Sequence, residues 1–328
     1  MKKSYIPHPS KREYVTFLFL FIEIILFGVL NSNFFSYSNI TQVIQNASET
    51  AMIAIGMDIV IIVGGIDLSV GKILGVIAVI VGYMLMANMP PVLIVLAAVG
   101  TGLVLGFING IVVTRLKLPD FVATLATLNI LSGAIFALLN GNWLTGLPNV
   151  FAPIMTANVG VVPAVLILVV AVYAVCYLVM NHSQFGRSLY LVGSNQKSAE
   201  MVGINIRKIK MISYSLIGCI TGIAAILYVA RMGSVEMTVG STTALDCIAA
   251  VVIGGTGFTS RDEKGTLFGT LAGVFFIAFL HNGIILIGIP SLLENFFVGV
   301  LLILTLLADI LSSKRKAKKT SARKKVAV

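Results

Sequence analysis

The side chains in this sequence that could do chemistry are ionisable groups embedded in apolar stretches. They are Glu23, Glu49, Asp58, Asp246, His281 and Glu294. An ionisable group at bilayer depth costs about 2.5–3.5 kcal/mol on insertion scales, so it needs a partner or a water-filled cavity. Two interpretations of Asp58, the deepest of them, stay open. It is either a residue of a transport pathway that contacts solute hydroxyls, or a buried group satisfied by a neighbouring helix.

Motifs for enzymatic chemistry are absent from the sequence. Gly71-Lys72 looks like the end of a phosphate-binding loop, but Ile66 and Ile73 stand where that loop needs Gly and Ser or Thr. The three histidines form no metal-ligand spacing with cysteines or carboxylates. We therefore predict no catalytic residue, no metal, no other cofactor and no hydrolysis of ATP by this chain alone.

Composition indicates which elements must position these groups. The chain has 328 residues, of which 58% are hydrophobic and 11% are charged, whereas soluble domains have about 25% charged residues. Apolar runs of about 20 residues, each able to cross a hydrocarbon core of about 30 Å, recur along it. We predict an all-α integral membrane protein with about ten transmembrane helices. They lie at roughly 14–30, 42–63, 71–88, 91–113, 120–140, 161–180, 211–230, 243–258, 266–287 and 292–311.

The basic residues predict an orientation. With the N-terminus inside, 21 of the 23 Lys and Arg residues fall on the cytoplasmic side, Lys72 lies at the inner rim and Arg231 lies outside. Both termini are then cytoplasmic, with one transmembrane domain at residues 1–313 and a basic cytoplasmic tail at 314–328. The net charge of +10 is thus typical of membrane topology, and no nucleic-acid partner is predicted.

Glycines predict close helix packing and tight turns. Two sets at a spacing of four predict faces on which helices approach closely; they are Gly102, Gly106 and Gly110, and Gly265, Gly269 and Gly273. Gly64-Gly65 and Gly254-Gly255 follow apolar segments at their cytoplasmic ends. We predict protein-buried turns at both pairs, because irregular backbone at that depth needs partners from the protein or water.

The longest predicted cytoplasmic segment, residues 181–210, contains a candidate short helix. Asn195 is placed to cap its start and Gly203 to end it. Ala199, Met201 and Val202, if partly exposed, would suit docking to another protein. On spacing alone, an ordinary surface loop with a short helix is the alternative.

One motif resembles a known family. The sequence GGIDLSVG at residues 64–71 is similar to the signature of the membrane permease subunits of sugar-type ABC importers, which include ribose, xylose, rhamnose and autoinducer-2 systems. The resemblance continues at residues 118–125, 186–204, 245–255 and 281–283. Its signature turns contain Gly64, Gly65, Asp67, Ser69, Gly71, Gly254 and Gly255.

The resemblance implies a vitamin-B12-importer-type (type II) ABC permease in the lipid of a bacterial cytoplasmic (inner) membrane. Its partners would be a second permease subunit, identical or not, two ABC ATPase subunits and an extracellular or periplasmic substrate-binding protein. Residues 195–203 correspond to the coupling helix. The residues expected to couple to the ATPase are Gly186, Arg187, Asn195, Ala199, Gly203 and Ile204. Those expected along the translocation pathway are Asp58, Asn109, Thr124 and Asp246.

Some positions depart from the family pattern. Asp58 stands where relatives usually have Thr or another uncharged residue, His281 stands where Asn is common, and the turn at Ser260–Lys264 is more charged. Residues 142–148 are similar to the outer loop of autoinducer-2 and rhamnose permeases, which favours those solutes over ribose. The alternative is that Trp143 in this stretch is an aromatic anchor at the membrane interface.

The predicted function is the permease subunit of an ABC importer for a monosaccharide or a related small polyhydroxylated solute. The alternatives are a nucleoside or other small-solute ABC permease and, from another class, an ion-coupled secondary carrier. The sequence does not specify the solute, because much of the selectivity would reside in the binding protein.

Overall fold

The computed structural model describes residues 11–257, 266–305 and 307. The expected basic tail at 314–328 and the charged turn Ser260–Lys264 lie outside the described residues. The described chain is almost entirely helical, with one short hairpin of strands β1 (Asn158–Val159) and β2 (Val162–Pro163). The helices are α1 (Lys11–Leu30), α2 (Tyr37–Ile62), α3 (Val70–Met86), α4 (Pro91–Arg115), α5 (Asp120–Leu139), α6 (Ala152–Thr156), α7 (Ala164–His182), α8 (Gln184–Ser194), α9 (Gln196–Met201), α10 (Ile206–Met232), α11 (Thr243–Ile253), α12 (Leu267–Leu286) and α13 (Glu294–Thr305).

The chain is a multi-pass membrane protein. Six helices of the described residues, α1, α4, α5, α7, α10 and α12, are long and apolar enough to cross a bilayer. Helices α3, α11 and α13 are apolar but shorter, and α2 has 26 residues but carries Glu49 and Asp58. Each of the ten predicted segments overlaps one of these ten helices, whereas the number of crossings and the position of the termini stay predictions.

The core consists of α2 and α10. Every residue of α2 from Ala51 to Ile62 is buried, and α10 contacts α2, α3 and α4. Helices α1, α4, α5 and α7 surround this core and expose apolar side chains such as Leu18, Leu96 and Val170. Apolar residues on the outside are what a lipid-facing surface requires, because hydrocarbon cannot solvate polar groups.

Helices α4 and α10 pack backbone to backbone, as the glycine spacing predicts. A Cβ atom built on Gly102 would overlap the carbonyl oxygen of Gly218, and one on Gly106 would overlap that of Tyr214. Gly110 faces Met211 in the same way, with its added Cβ 3.1 Å from the Met211 Cα. The first predicted glycine face is therefore confirmed.

A second close approach joins α11 to α12. A Cβ on Gly269 would overlap the carbonyl oxygen of Gly254, and one on Gly273 would overlap that of Ala250. Gly265, the third member of the predicted face, lies outside the described residues. The two members that the structure describes bear out the predicted packing.

The connection between α10 and α11 lies alongside α3. Val235 and Leu144 exchange backbone hydrogen bonds of 2.8 and 2.9 Å near the C-terminal end of α3, where Gly82 meets the Leu144 side chain. Five residues after Val235, Gly240 meets Gly71 at the other end of α3 with no room for a Cβ on either. The connection thus follows α3 along its length, and α11 begins beside the N-terminus of α3.

The glycine contact between α4 and α10 gives a stability prediction. We expect Gly106→Val to lower the melting temperature of the purified protein in detergent, because a larger side chain forces the two backbones apart at a cost of about 1–3 kcal/mol or more. Gly100→Val is the matched control, since Gly100 lies on the same helix with nothing within 4 Å of an added Cβ. Equal melting temperatures for the two variants would contradict this packing.

Candidate pathway and coupling sites

The turn between α2 and α3 is held by a buried carboxylate. Asp67 Oδ1 accepts hydrogen bonds from the Ser69 backbone N–H at 2.9 Å and from Ser69 Oγ at 2.6 Å. Both residues are fully buried. An aspartate that bonds to the backbone two residues on is a local turn-forming device. Asp67 therefore shapes this turn inside the protein.

Helices α4 and α5 complete the bonding of this turn. Asn109 Nδ2 donates to Ser69 Oγ at 2.7 Å and to Asp67 Oδ2 at 3.4 Å, and Asn109 Oδ1 accepts from Thr127 Oγ1 at 2.8 Å. We call Asp67, Ser69, Asn109 and Thr127 the Asp67 network. Buried polar groups are stable only when they are hydrogen-bonded, and this network supplies those bonds across three elements.

The start of the turn is held by α5 and α10. The carbonyl oxygen of Ile66 accepts from Tyr214 Oη at 3.2 Å and from Thr124 Oγ1 at 3.3 Å. A Cβ on Gly65 would lie 2.9 Å from both Tyr214 Oη and Asp120 Oδ2. Asp120 in turn pairs with Lys210 at 3.3 Å. Only glycine fits at position 65 without displacing these groups.

Asn109 and Thr124 were expected along the translocation pathway, but the structure places them at this junction. Both side chains are fully buried. Their hydrogen bonds go to the turn and to neighbouring helices. Their side chains thus hold helices together, and their place along a translocation pathway stays a prediction. Gly64, the exposed first glycine of the turn, has a φ of 79°, which favours glycine.

Lys72, predicted at the inner rim of the membrane, is buried within the protein. It is 7% exposed, and its Nζ donates to the Val239 carbonyl at 3.0 Å and to Ser241 Oγ at 2.9 Å. Both acceptors belong to the connection between α10 and α11. Together with the contact of Gly71 with Gly240, Lys72 fastens that connection to the start of α3.

Asp58 is buried against the turn that follows α11. Thr256 Oγ1 donates to Asp58 Oδ1 at 2.6 Å, and Asp58 is fully buried. Gly255, in the second double glycine, has a φ of 102°. The second carboxylate oxygen, Asp58 Oδ2, is buried and has no hydrogen-bond partner among the described residues, so both interpretations of Asp58 stay open.

The predicted short helix in the long polar segment is α9. Asn195 Oδ1 accepts from the Ser198 backbone N–H at 3.2 Å, and Gly203 follows the helix with a φ of 80°. The expected cap and end are thus confirmed. Met201 and Val202 are 83% and 69% exposed, but Ala199 is only 2% exposed, so its expected exposure was wrong. Ala199 belongs to the buried apolar core because α9 packs against α8 and α10.

Helix α8 connects α9 to the core. Ser183 caps α8 by accepting from the Gly186 N–H at 3.1 Å, and Gly186 packs directly on the Met180 carbonyl. Arg187 contacts the His182 carbonyl at 3.4 Å. Gly193 lies against the carbonyl oxygen of Ile62, at the end of α2. A displacement of α9 would therefore reach the end of α2 through α8.

A pocket of about 340 Å³ lies between α2, α11, α12 and α13. Asp246, His281 and Glu294, three of the ionisable groups in apolar segments, line it. Next to it, Arg231 Nε and Nη2 donate to both carboxylate oxygens of Glu49, at 2.7 and 3.2 Å. Asp246 is thus the predicted pathway residue that does line a cavity.

The sequence reasoning missed several polar contacts of this region. Asn39 and Asn282 exchange two amide hydrogen bonds of 2.9 and 2.7 Å between α2 and α12. Both are polar residues in or beside apolar segments, and this is the sequence signal that could have identified them. Residues 11–257 and 266–305 contain no group of three His, Cys, Asp or Glu side chains that could hold a metal ion.

The chain is similar in sequence to permease components of known transport systems. A family model described as "Branched-chain amino acid transport system / permease component" matches residues 39–306. The ribose import permease protein RbsC of Bacillus subtilis is 35% identical over 296 residues, which cover 89% of this chain and 91% of the relative. RbsC of Escherichia coli K12 is 32% identical over 294 residues, covering 88% and 91%.

A relative from another transport system is similar over a comparable length. The autoinducer 2 import system permease protein LsrC of Yersinia pseudotuberculosis is 31% identical over 301 residues, which cover 92% of this chain and 85% of the relative. No solved structure matches the chain.

The Asp67 network gives a second stability prediction. We expect Asn109→Leu to destabilise the folded protein, because Asp67, Ser69 and Thr127 each lose a partner and an unsatisfied buried group costs about 1–3 kcal/mol. The measurement is the melting temperature in detergent. Asn129→Leu is the control, because Asn129 is exposed on α5 and donates only within its own helix. If Asn129→Leu lowers the melting temperature as much as Asn109→Leu does, the stabilising role of the network is contradicted.

Proposed function

The chain belongs to the permease-component family of branched-chain amino acid transport systems, and from this premise we propose that it is the transmembrane subunit of an ABC importer. Its solute is a monosaccharide or a related small polyhydroxylated molecule. The observation that carries this proposal is the similarity, over about nine-tenths of the chain, to permeases that import ribose. The expected preference for autoinducer-2 or rhamnose over ribose stays a prediction, because permeases of both ribose and autoinducer-2 systems are similar to the chain.

The fold fits a type II permease that works as a dimer in a bacterial cytoplasmic membrane. Six helices of membrane length, four further helices that overlap the other predicted segments, and the distribution of basic residues support about ten crossings with both termini inside. A second permease subunit would complete the translocation pathway, and a binding protein would deliver solute from outside. Because no phosphate-binding loop occurs in the sequence, ATP is hydrolysed on separate ATPase subunits.

Helix α9 is the part of this chain that binds the ATPase. Met201 and Val202 form an exposed apolar patch at its end, which suits burial against another protein. The buried Ala199 and the cap at Asn195 stabilise α9, and α8 connects α9 to the end of α2. Closure of the ATPase pair would thus move α2 and the Asp67 turn, and so switch the pathway between outward and inward states.

Two other functions remain alternatives for this chain. A nucleoside or other small-solute ABC permease would have the same fold and the same coupling helix, because the binding protein would make the distinction. An ion-coupled secondary carrier would need no ATPase, and the exposed α9 patch argues against it.

The proposed function is tested by measuring ATP hydrolysis. The chain is reconstituted in nanodiscs with the ATPase and binding protein of the same system. We expect solute-loaded binding protein to stimulate hydrolysis over the rate with the unloaded protein. An ATPase that neither copurifies with the chain nor responds to the loaded binding protein would contradict the proposal.

The role of α9 gives a third prediction. We expect Met201→Glu to abolish copurification of the ATPase at an unchanged melting temperature, because a charge replaces an exposed apolar contact. Val161→Glu is the matched control, since Val161 is 79% exposed on the hairpin between α6 and α7, which the charge distribution places on the outer side. Normal copurification with Met201→Glu would remove α9 from the ATPase interface.

A further inference from the structure

One face of α2 carries a polar stripe through an otherwise apolar fold. Asn39, Gln42, Asn46 and Thr50 recur at intervals of three or four residues and line the pocket described above. At 1.5 Å per residue, the stripe descends about 16 Å from Asn39 to Thr50. It therefore leads from one end of α2 toward its middle.

This stripe does not face lipid. Gln42 and Asn46 are exposed, whereas the exposed residues of α4, such as Val92, Leu96 and Phe107, are apolar. An exposed amide in hydrocarbon would cost several kcal/mol, about what an unmade hydrogen bond costs there. Because Gln42 and Asn46 line the pocket, we expect this face of α2 to meet water or a polar ligand there and not lipid.

The remaining pocket groups are arranged for recognition. Asn39 and Asn282 bond to each other, and Asn39 also donates to the Phe34 carbonyl at 2.9 Å, so these amides fix α2 to α12. His281 Nδ1 lies 3.8 Å from Glu294 Oε2. Its Nε2 is buried and has no hydrogen-bond partner within the described part of the chain. An imidazole nitrogen and carboxylate oxygens bind hydroxyl groups well, as acceptor or donor.

The charge of the pocket is negative. Asp246 and Glu294 line it, and no Lys or Arg is among its described lining residues. Arg231 lies next to the pocket, where it donates to Asn46 Oδ1 at 3.1 Å. Its charge is neutralised by the bidentate pair with Glu49. Asp246 and Glu294, the latter with His281 Nδ1 3.8 Å away, repel anions when they are ionised, because water screens the site only partly.

We propose that this pocket binds the hydroxyl groups of an uncharged polyhydroxylated solute, with Asp246, His281 and Glu294 as the recognising side chains, and that it excludes anionic solutes. Its volume of about 340 Å³ lies at the small end of the range for ligand pockets, about 300–1,000 Å³. The proposal rests on the proposed transport function, because it names the class of solute that the importer carries and the station at which this chain holds it.

The direct test is cysteine labelling, which needs neither the solute nor an ATPase. Thr50→Cys is introduced into a background in which Cys176, Cys219 and Cys247 are replaced by Ala. Cells are treated from outside with a cationic or an anionic thiosulfonate reagent. We expect Thr50→Cys to react, and to prefer the cationic reagent about tenfold over the ratio for a free thiol. The added change Asp246→Asn with Glu294→Gln should remove this preference.

Leu103→Cys is the control, because Leu103 is an exposed apolar residue of α4 outside the pocket. We expect it to react with neither charged reagent. Asn46→Cys, higher on the same stripe, replaces Thr50→Cys if the latter lowers the melting temperature. The proposal is overturned if the pocket cysteine reacts no faster than Leu103→Cys, or if it shows no preference for the cationic reagent.

A second measurement separates this proposal from the proposed function. In the reconstituted transporter, we expect Asp246→Asn with Glu294→Gln to lower ATP-driven uptake of the sugar that the binding protein selects by at least about tenfold. Unchanged uptake overturns the pocket proposal and leaves the importer in place. A preserved charge preference without any ATP-driven uptake contradicts the importer function instead.

Discussion

The structure depends on one constraint: the chain leaves α2 at Val63, which is fully buried, and the buried polar groups of the turn that follows must find partners within the protein. Backbone that is not helical survives at membrane depth only where protein or an aqueous cavity supplies partners. Asp67, Asn109 and Tyr214 supply them from three elements. Because these bonds tie α2, α3, α4, α5 and α10 at one place, the turn is also the hub of the helix arrangement.

Glycine allows the rest of the helices to meet that hub. The α4–α10 and α11–α12 contacts bring backbones together without side chains between them. At the C-terminal end of α2, Gly193 brings α8 onto that helix, and toward its N-terminal end the polar stripe of α2 lines the pocket. Helix α2 thus runs from the segment assigned to the ATPase to the pocket assigned to the solute, with the Asp67 turn directly after it.

Sequence patterns predicted the local features of this fold. Apolar runs located the helices, a spacing of four located the packed glycines, and Asn195 with Gly203 located α9, because each of these signals lies within a few residues of its effect. The contacts of Lys72 with Val239 and of Asp58 with Thr256 were not predictable in this way. They join residues more than 160 positions apart, and the connection that follows α3 carries no local pattern that indicates its course.

The central claim is that this chain forms the translocation pathway, whereas separate ATPase subunits hydrolyse the ATP that drives transport. The most direct measurement is uptake of radiolabelled sugar into proteoliposomes that contain the chain with its binding protein, with and without the ATPase subunits and ATP. The account predicts accumulation only when the ATPase and ATP are both present. Accumulation by the chain alone, driven by an ion gradient, would contradict it.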